Sequence, residues 1–217
     1  MSDVPAPPEA AGAALDAAGF QALTHATDTQ MADLETFLGM LTDGNAVMNL
    51  VGPATLPDFW NRHAWDSAQL LRLAPAAKTW ADLGAGAGFP GLVLAILCKG
   101  GPGATVHLVE SMAKRCRFLT SVSEALDLPV VIHNKRAEDL SLAVDIVTAR
   151  ACAPMSRLLG YARPYLKRGA TGLFLKGQDV VSELEDAAIS WTFSSRLIES
   201  LSDPRGRIVE VKGLSRA

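Results

Sequence analysis

Asp82-Leu83-Gly84-Ala85-Gly86-Ala87-Gly88-Phe89-Pro90-Gly91 follows the short run Thr79-Trp80-Ala81 and opens into the apolar run Leu92-Val93-Leu94-Ala95-Ile96-Leu97. This order predicts a strand that ends in a glycine loop and feeds a helix. Glycines at alternate positions let the backbone take positive φ and approach a ligand, and the helix N-terminus behind them favours polar or anionic groups. A nucleotide-like cofactor suits such a loop.

Two cofactor classes compete for it. Gly86-Ala87-Gly88-Phe89-Pro90-Gly91 satisfies the dinucleotide pattern G-x-G-x-x-G, which alone is unspecific. Asp82, Gly84, Gly86 and Gly88 satisfy D-x-G-x-G-x-G, the first motif of S-adenosylmethionine-dependent methyltransferases. A carboxylate at Asp82 complements the ammonium of that cofactor's methionine end and fits a pyrophosphate badly. Ala104 to Glu110 reads as the next strand, and Glu110 lies 26 residues after Gly84, where α/β nucleotide folds place a ribose-binding carboxylate. That spacing implies adenosine without implying methyl transfer. The competing account of Glu110 is a solvated residue opening the next helix.

The chain has 217 residues, 49% of them hydrophobic, and no uninterrupted apolar run of the roughly 18 residues that a membrane helix needs. The expectation is one soluble domain with a modest extension and no membrane partner. The first 60 residues contain no Lys or Arg, so neither a secretory n-region nor an Arg-rich transit peptide is expected, and the expected address is cytoplasmic. Cys98, Cys116 and Cys152 are widely spaced and odd in number, which fits buried reduced thiols better than a disulfide frame or a metal site. The net charge of -3 hides an asymmetry: all 20 Lys and Arg follow residue 61. Lys114, Arg115 and Arg117, Lys135 and Arg136, and Arg150 onward follow predicted strands, where an open parallel sheet has its crevice. They are candidates for a phosphate-rich path, with ordinary solvated helix faces as the alternative. The first 61 residues, with eight acids and no Lys or Arg, add nothing to such a path.

Residues 1–26 are Ala, Pro and Gly rich and are expected to form a flexible tail. Residues 27–73 are expected to form a helical cap, with one helix from Thr27 to Gly44 or Asn49 and a second from Pro57 to Leu73. Residues 74–217 follow as the catalytic domain, one compact unit with the cap. Beyond Glu110 the pattern predicts helix 112–126, strands 129–133 and 144–149, helix 154–167, strand 170–176 and helix 179–188. Ser190 to Leu201 and Gly206 to Val211 then read as a hairpin around Asp203-Pro204-Arg205-Gly206. A hairpin adds an antiparallel strand, as in the mostly parallel seven-stranded Rossmann-like sheet of class I methyltransferases, whereas a dehydrogenase more often continues with another crossover. An NAD-dependent oxidoreductase and a catalytically silent RNA-binding or assembly protein stand as the alternatives.

Residue chemistry narrows the acceptor. After the predicted strand 144–149 the chain reads Thr148-Ala149-Arg150-Ala151-Cys152-Ala153-Pro154, without the Asn/Asp-Pro-Pro-aromatic turn of enzymes that methylate exocyclic amines. Cys152 lacks the Pro-Cys context of carbon-5 pyrimidine methyltransferases. A ring nitrogen such as guanine N7 has an in-plane lone pair, needs no base, and can be methylated by positioning alone. Arg150, at a strand end, suits a phosphate or guanine O6, against an ion pair with Asp82 or Glu110. Arg62, His63 and Asp66 form a polar group on an otherwise apolar helix, serving either the crevice mouth or a buried network. Lys176 ends a strand on the ligand edge and is a candidate for RNA phosphate.

In this order, Asn49-Leu50, Arg62-His63 with Asp66-Ser67, Asp82 to Gly91, Glu110-Ser111 with Lys114-Arg115 and Phe118-Leu119, Arg136-Ala137-Glu138, Arg150-Ala151 and Lys176-Gly177 are specific. From about Asn49 to Lys212 the chain resembles the RsmG (GidB) family of bacterial 16S ribosomal RNA methyltransferases. The resemblance implies methyl transfer from S-adenosylmethionine to N7 of a guanine in the 530 loop of 16S rRNA, within the small ribosomal subunit or its precursor. It implies Gly84 and Phe89 in the cofactor loop, Ala137 and Glu138 near the adenine, and Arg150 at the junction of cofactor and substrate. No metal and a monomer are expected.

Overall fold

The structure, a computed structural model, describes residues 15–217. The first part of the expected tail, residues 1–14, lies outside the described residues. From residue 79 to 176 strands and helices alternate, and the alternation builds a parallel sheet. β1 (Thr79–Leu83), β2 (Thr105–Val109), β3 (Val130–His133), β4 (Ile146–Arg150) and β5 (Thr171–Lys176) are joined by β6 (Trp191–Glu199) and β7 (Arg207–Arg216). The seven strands take the order β3-β2-β1-β4-β5-β7-β6, with β7 antiparallel to both neighbours. A dinucleotide fold places its strands 3-2-1-4-5-6. The inserted antiparallel β7 is the arrangement that the hairpin signal anticipates.

β1 pairs with β2 on one side and β4 on the other, so successive crossovers leave it in opposite directions and open a crevice at the carboxyl ends of the strands. Because β7 runs against β5, with Lys176 opposite Arg207, it starts at that same end. The turn between β6 and β7 is thereby delivered to the crevice.

Both faces of the sheet are covered, and β1 divides its side chains between them at a period of two. Ala81 and Leu83 meet the core under α6 (Met155–Leu166) and α7 (Val180–Ala188), whereas Trp80 joins the core under α4 (Gly91–Cys98) and α5 (Ala113–Ala125). The N-terminal helices pack on that second side. α1 (Ala17–Thr24) is capped by Asp16, which accepts from the Gly19 N–H at 2.8 Å, and it buries Phe20 completely. Such a cap contributes about 1 kcal/mol and such a buried ring about 2–3 kcal/mol, enough to order a short helix on a preformed surface. The expectation of a flexible segment is therefore corrected for residues 15–26. One Phe among alanines gives no periodic signal.

α2 (Asp28–Met48) begins with a Thr27–Gln30 capping box and buries Met31, Leu34, Phe37 and Leu41. It continues through Gly44, whose missing Cβ leaves room for the Phe118 ring. The single helix predicted over 57–73 is instead a 3₁₀ segment (Pro53–Asp58), a π-helical turn (Trp60–Trp65) and α3 (Asp66–Leu73). Wide π turns concentrate at functional sites, and this one carries Arg62 and His63.

Candidate active site

One wall of the crevice is backbone. Asp82, fully buried, accepts the Gly91 N–H at 2.9 Å through Oδ2, while Oδ1 has no partner among the described residues. Burial pushes its carboxyl up to about 7, against the lowering pull of the Gly91 N–H and of Arg150. The expected direct contact with an ammonium is corrected: Asp82 lies behind the loop and braces the start of α4. Glu110 is also buried, accepting the Gly86 N–H at 3.0 Å and the Met112 N–H at 2.8 Å, with Arg115 at 3.7 Å. It is a strut under the glycine loop rather than a solvated helix opener. Gly84 and Gly86 take φ of +70° and +57°, and a Cβ on Gly84 would stand 2.8 Å from the Cys152 Sγ. Gly88 faces inward, where a Cβ would collide with Leu92, so its role is corrected from ligand approach to helix packing.

The other wall is side chains. Arg150 ends β4 with its guanidinium 4.7 Å from the centroid of the Phe89 ring. It donates to the Arg62 carbonyl at 2.9 Å, to Asp66 Oδ2 at 3.2 Å and to His63 Nδ1 at 2.9 Å. A guanidinium only donates, so Nδ1 of His63 accepts, and the ring proton sits on Nε2, donated to Thr55 Oγ1 at 2.9 Å. Burial, then Arg150 and Arg62, bring His63 down to about 3, which leaves the ring neutral at physiological pH. The ring stacks on Phe89 at 4.6 Å between centroids. Arg150 thus pairs with Asp66, correcting the expected alternatives of Asp82 and Glu110. Among the described residues its Nε–H and one Nη2 hydrogen have no partner.

Asp66 uses its second oxygen on Ser202, whose hydroxyl donates at 2.6 Å. Buried Gln69 accepts the Leu201 N–H at 2.8 Å, and Asn61 and Trp65 donate to the carbonyls of Ser202 and Leu201 at 3.1 and 3.2 Å. Sequence reasoning missed Asn61, Gln69 and the Ser202 turn beside the cleft, and it weighed Cys152 as a buried thiol and as a nucleophile, not as the neighbour of Gly84. The antiparallel placement of β7 was the one available signal, since it sends the hairpin turn to the crevice.

Between the walls lies a cleft of about 790 Å³, lined by Gly84, Gly86, Phe89, Arg62, His63, Asp66, Arg115, Arg150 and Lys176 together with the hairpin turn. Lys176 is not a free cation: its ammonium holds Glu183 at 2.6 Å and donates to the Ala153 carbonyl at 3.0 Å, with the side chain only 10% exposed. The reading of Lys176 as a phosphate contact is corrected accordingly. Lys114 is exposed at the start of α5. Ala137 and Glu138 form a short 3₁₀ turn after β3, outside the residues that line the cleft; Glu138 is exposed and its charge helps hold the Cys152 thiol up. Among the described residues no group of three His, Cys, Asp or Glu is placed to hold a metal, and no helix is long and apolar enough to cross a membrane.

The comparisons agree with this architecture. The family model described as GidB, rRNA small subunit methyltransferase G, matches residues 30–213. Ribosomal RNA small subunit methyltransferase G of Caulobacter sp. (strain K31) is 72% identical over 200 residues, covering 92% of this chain and 90% of that protein. The protein of the same name from Caulobacter vibrioides (strain NA1000 / CB15N) is 69% identical over 204 residues, 94% of each chain. Among solved structures, a SAM dependent methyltransferase from Aquifex aeolicus shares the fold at a TM-score of 0.54 and 17% identity, over 77% of this chain and 96% of that one.

Proposed function

Because the chain belongs to the rRNA small subunit methyltransferase G family, we propose that it transfers the methyl group of S-adenosyl-L-methionine to N7 of a guanine in the 530 loop of 16S rRNA. The product is S-adenosyl-L-homocysteine, and the acceptor is the small ribosomal subunit or its precursor. The observation that carries this reading is Arg150, fixed by three hydrogen bonds and still holding two N–H donors at a cleft whose facing wall is the glycine loop.

The residues present fit the cofactor. Gly84 and Gly86 leave the loop face bare, and the cleft falls within the size range of small-molecule sites. Gly84, Gly86 and the Phe89 turn would hold its methionine end, with the Asp82 carboxyl close behind. Glu110 keeps unused lone pairs for a ribose, and Ala137 and Glu138, in the turn after β3, would meet the adenine edge. When bound, the cofactor supplies a methyl group on a sulfonium centre.

The chain's own part is orientation. Arg150 donates to guanine O6 and leaves the adjacent N7 lone pair directed across the cleft. No general base is required, and His63 is not free to act as one: both of its ring nitrogens are spent, on Arg150 and Thr55. A covalent route through Cys152 is disfavoured, since burial and then the nearby carboxylates hold its thiol up and protonated. Positioning of this kind supplies most of the barrier lowering when nucleophile and electrophile are held in line.

The test is transfer from labelled S-adenosylmethionine to small subunits from a strain lacking the protein, mapped by borohydride and aniline cleavage at 7-methylguanine. One cleavage in the 530 loop is expected. Cofactor binding without incorporation would instead favour a silent RNA-binding protein.

A further inference from the structure

The turn between β6 and β7 is held far more firmly than a surface hairpin needs. Within it, Asp203 accepts the Arg205 N–H at 2.9 Å through its carboxylate and the Gly206 N–H at 2.8 Å through its carbonyl. From outside, Asn61, Trp65, Asp66 and Gln69, all within one π turn and the helix it feeds, bond to Ser200, Leu201 and Ser202. The same Asp66 carboxylate grips Arg150 with its other oxygen. The turn therefore stands at a fixed offset from the residue that faces the reacting base.

This fixed turn carries cations to the cleft. Arg205 is 72% exposed, its guanidinium bonded among the described residues only to Asp203 at 3.4 Å, a long and solvent-screened pair. Arg207 folds back onto the carbonyls of Pro204 and Gly206 at 2.8 and 2.7 Å, and exposed Arg62 lies on the same wall. Arg205, Arg207 and Arg62 line the cleft on one side, and Arg115 lines it on the other. Several arginines along one cleft match the repeated charge of a polynucleotide backbone better than a single small anion.

We infer that the β6–β7 turn is a backbone clamp for the RNA, with Arg205 and Arg207 holding phosphates next to the target guanine while Asp66 and Ser202 keep the clamp in register with Arg150. This inference rests on the reading of the acceptor as rRNA. The decisive measurement is steady-state methylation of small subunits by Arg205→Gln, Arg205→Lys and the Arg205→Gln/Arg207→Gln double variant, each from 50 to 300 mM salt.

Removing one phosphate contact lowers the slope of log KM against log salt by roughly 0.7 to 0.9 and raises KM about 5-fold near 0.1 M salt. Arg205→Gln is expected to do both while leaving affinity for S-adenosylhomocysteine unchanged. Arg205→Lys, which keeps the charge, is expected to recover most of the loss, and the double variant to show a steeper one. Because the bonds that hold the turn from Asn61, Trp65, Asp66 and Gln69 do not use the Arg205 side chain, its replacement tests the clamp without releasing the turn. An unchanged KM and slope in Arg205→Gln overturn the clamp, and a raised KM with an unchanged slope assigns the turn to a contact other than phosphate and overturns it as well. A wild-type protein that neither binds nor methylates the subunit overturns the rRNA reading itself, and the clamp falls with it.

Discussion

The two walls of the cleft are made in opposite ways. The glycine-loop wall is ten consecutive residues whose shape comes from backbone freedom, with Glu110 and Asp82 bracing it from behind through N–H groups. The facing wall is assembled from side chains far apart in the chain: Arg150 meets Arg62, His63 and Asp66, and Asp66 meets Ser202. The first wall needs local conformation; the second needs the whole fold to be in place. A substitution in the first should therefore change what the cleft binds, and one in the second how firmly the cleft is built and aimed.

The sharpest test of that division is Gly84→Leu. Its φ of +70° and the proximity of Cys152 leave no place for a side chain, so cofactor affinity is expected to fall at least about 100-fold while thermal stability drops by only about 1–2 kcal/mol. Calorimetric titration with S-adenosylhomocysteine and a melting curve measure both. Retained affinity would remove the loop from the cofactor site.

Arg150→Ala is expected to divide the other way. Loss of its donors should lower kcat about 100-fold with a cofactor affinity change of under about 5-fold. Equal losses in both would move Arg150 from orienting the base to holding the cofactor. Next in size is Ser202→Ala, which removes a charge-assisted bond to Asp66 at the edge of the cleft and is expected to cost about 1.5–3 kcal/mol in urea unfolding. A neutral result would mean that the turn is held by its backbone contacts alone.

The last test separates the walls by pH. Asp82 is raised in the folded protein to about 7, so the folded state holds a proton there that the unfolded chain has already lost. Its contribution is present below the unfolded value and declines as pH rises from about 4 to about 7. His63 is lowered to about 3, so the unfolded chain binds the proton first; its contribution is present above pH 6.5 and is lost as pH falls from there toward 3. Melting temperatures from pH 4 to 8 should show Asp82→Asn removing a decline with rising pH and His63→Gln removing an increase. Changes of the same sign in both variants would contradict the opposed environments described for the two residues.

The backbone wall was legible in the sequence for the reason it is easy to build. The motif Asp82 to Gly91, the strand after it and the spacing to Glu110 are local patterns, and the α/β alternation with its terminal hairpin follows from periodicity. What the side chains of that wall do was less legible: the Asp82 carboxylate and Gly88 fit a ligand motif, yet packing turns both inward. Almost nothing of the facing wall could be read. Arg62, His63 and Asp66 stood out as polar residues on an apolar helix, but their partner is 84 residues from Asp66, and no local pattern announces such a pair. The π turn that carries two of them was hidden because its composition is that of an ordinary amphipathic helix, and α1 because a single buried Phe makes no stripe.

Asp66 gives the molecule an internal gauge. One planar carboxylate spans the gap between the strand end that aims Arg150 and the hairpin that closes the cleft, so the separation of those parts is set by the width of a single functional group. A gauge of this kind has almost no compliance. The aim of Arg150 and the place of the hairpin turn are therefore set together, so that a displacement of either is carried to the other.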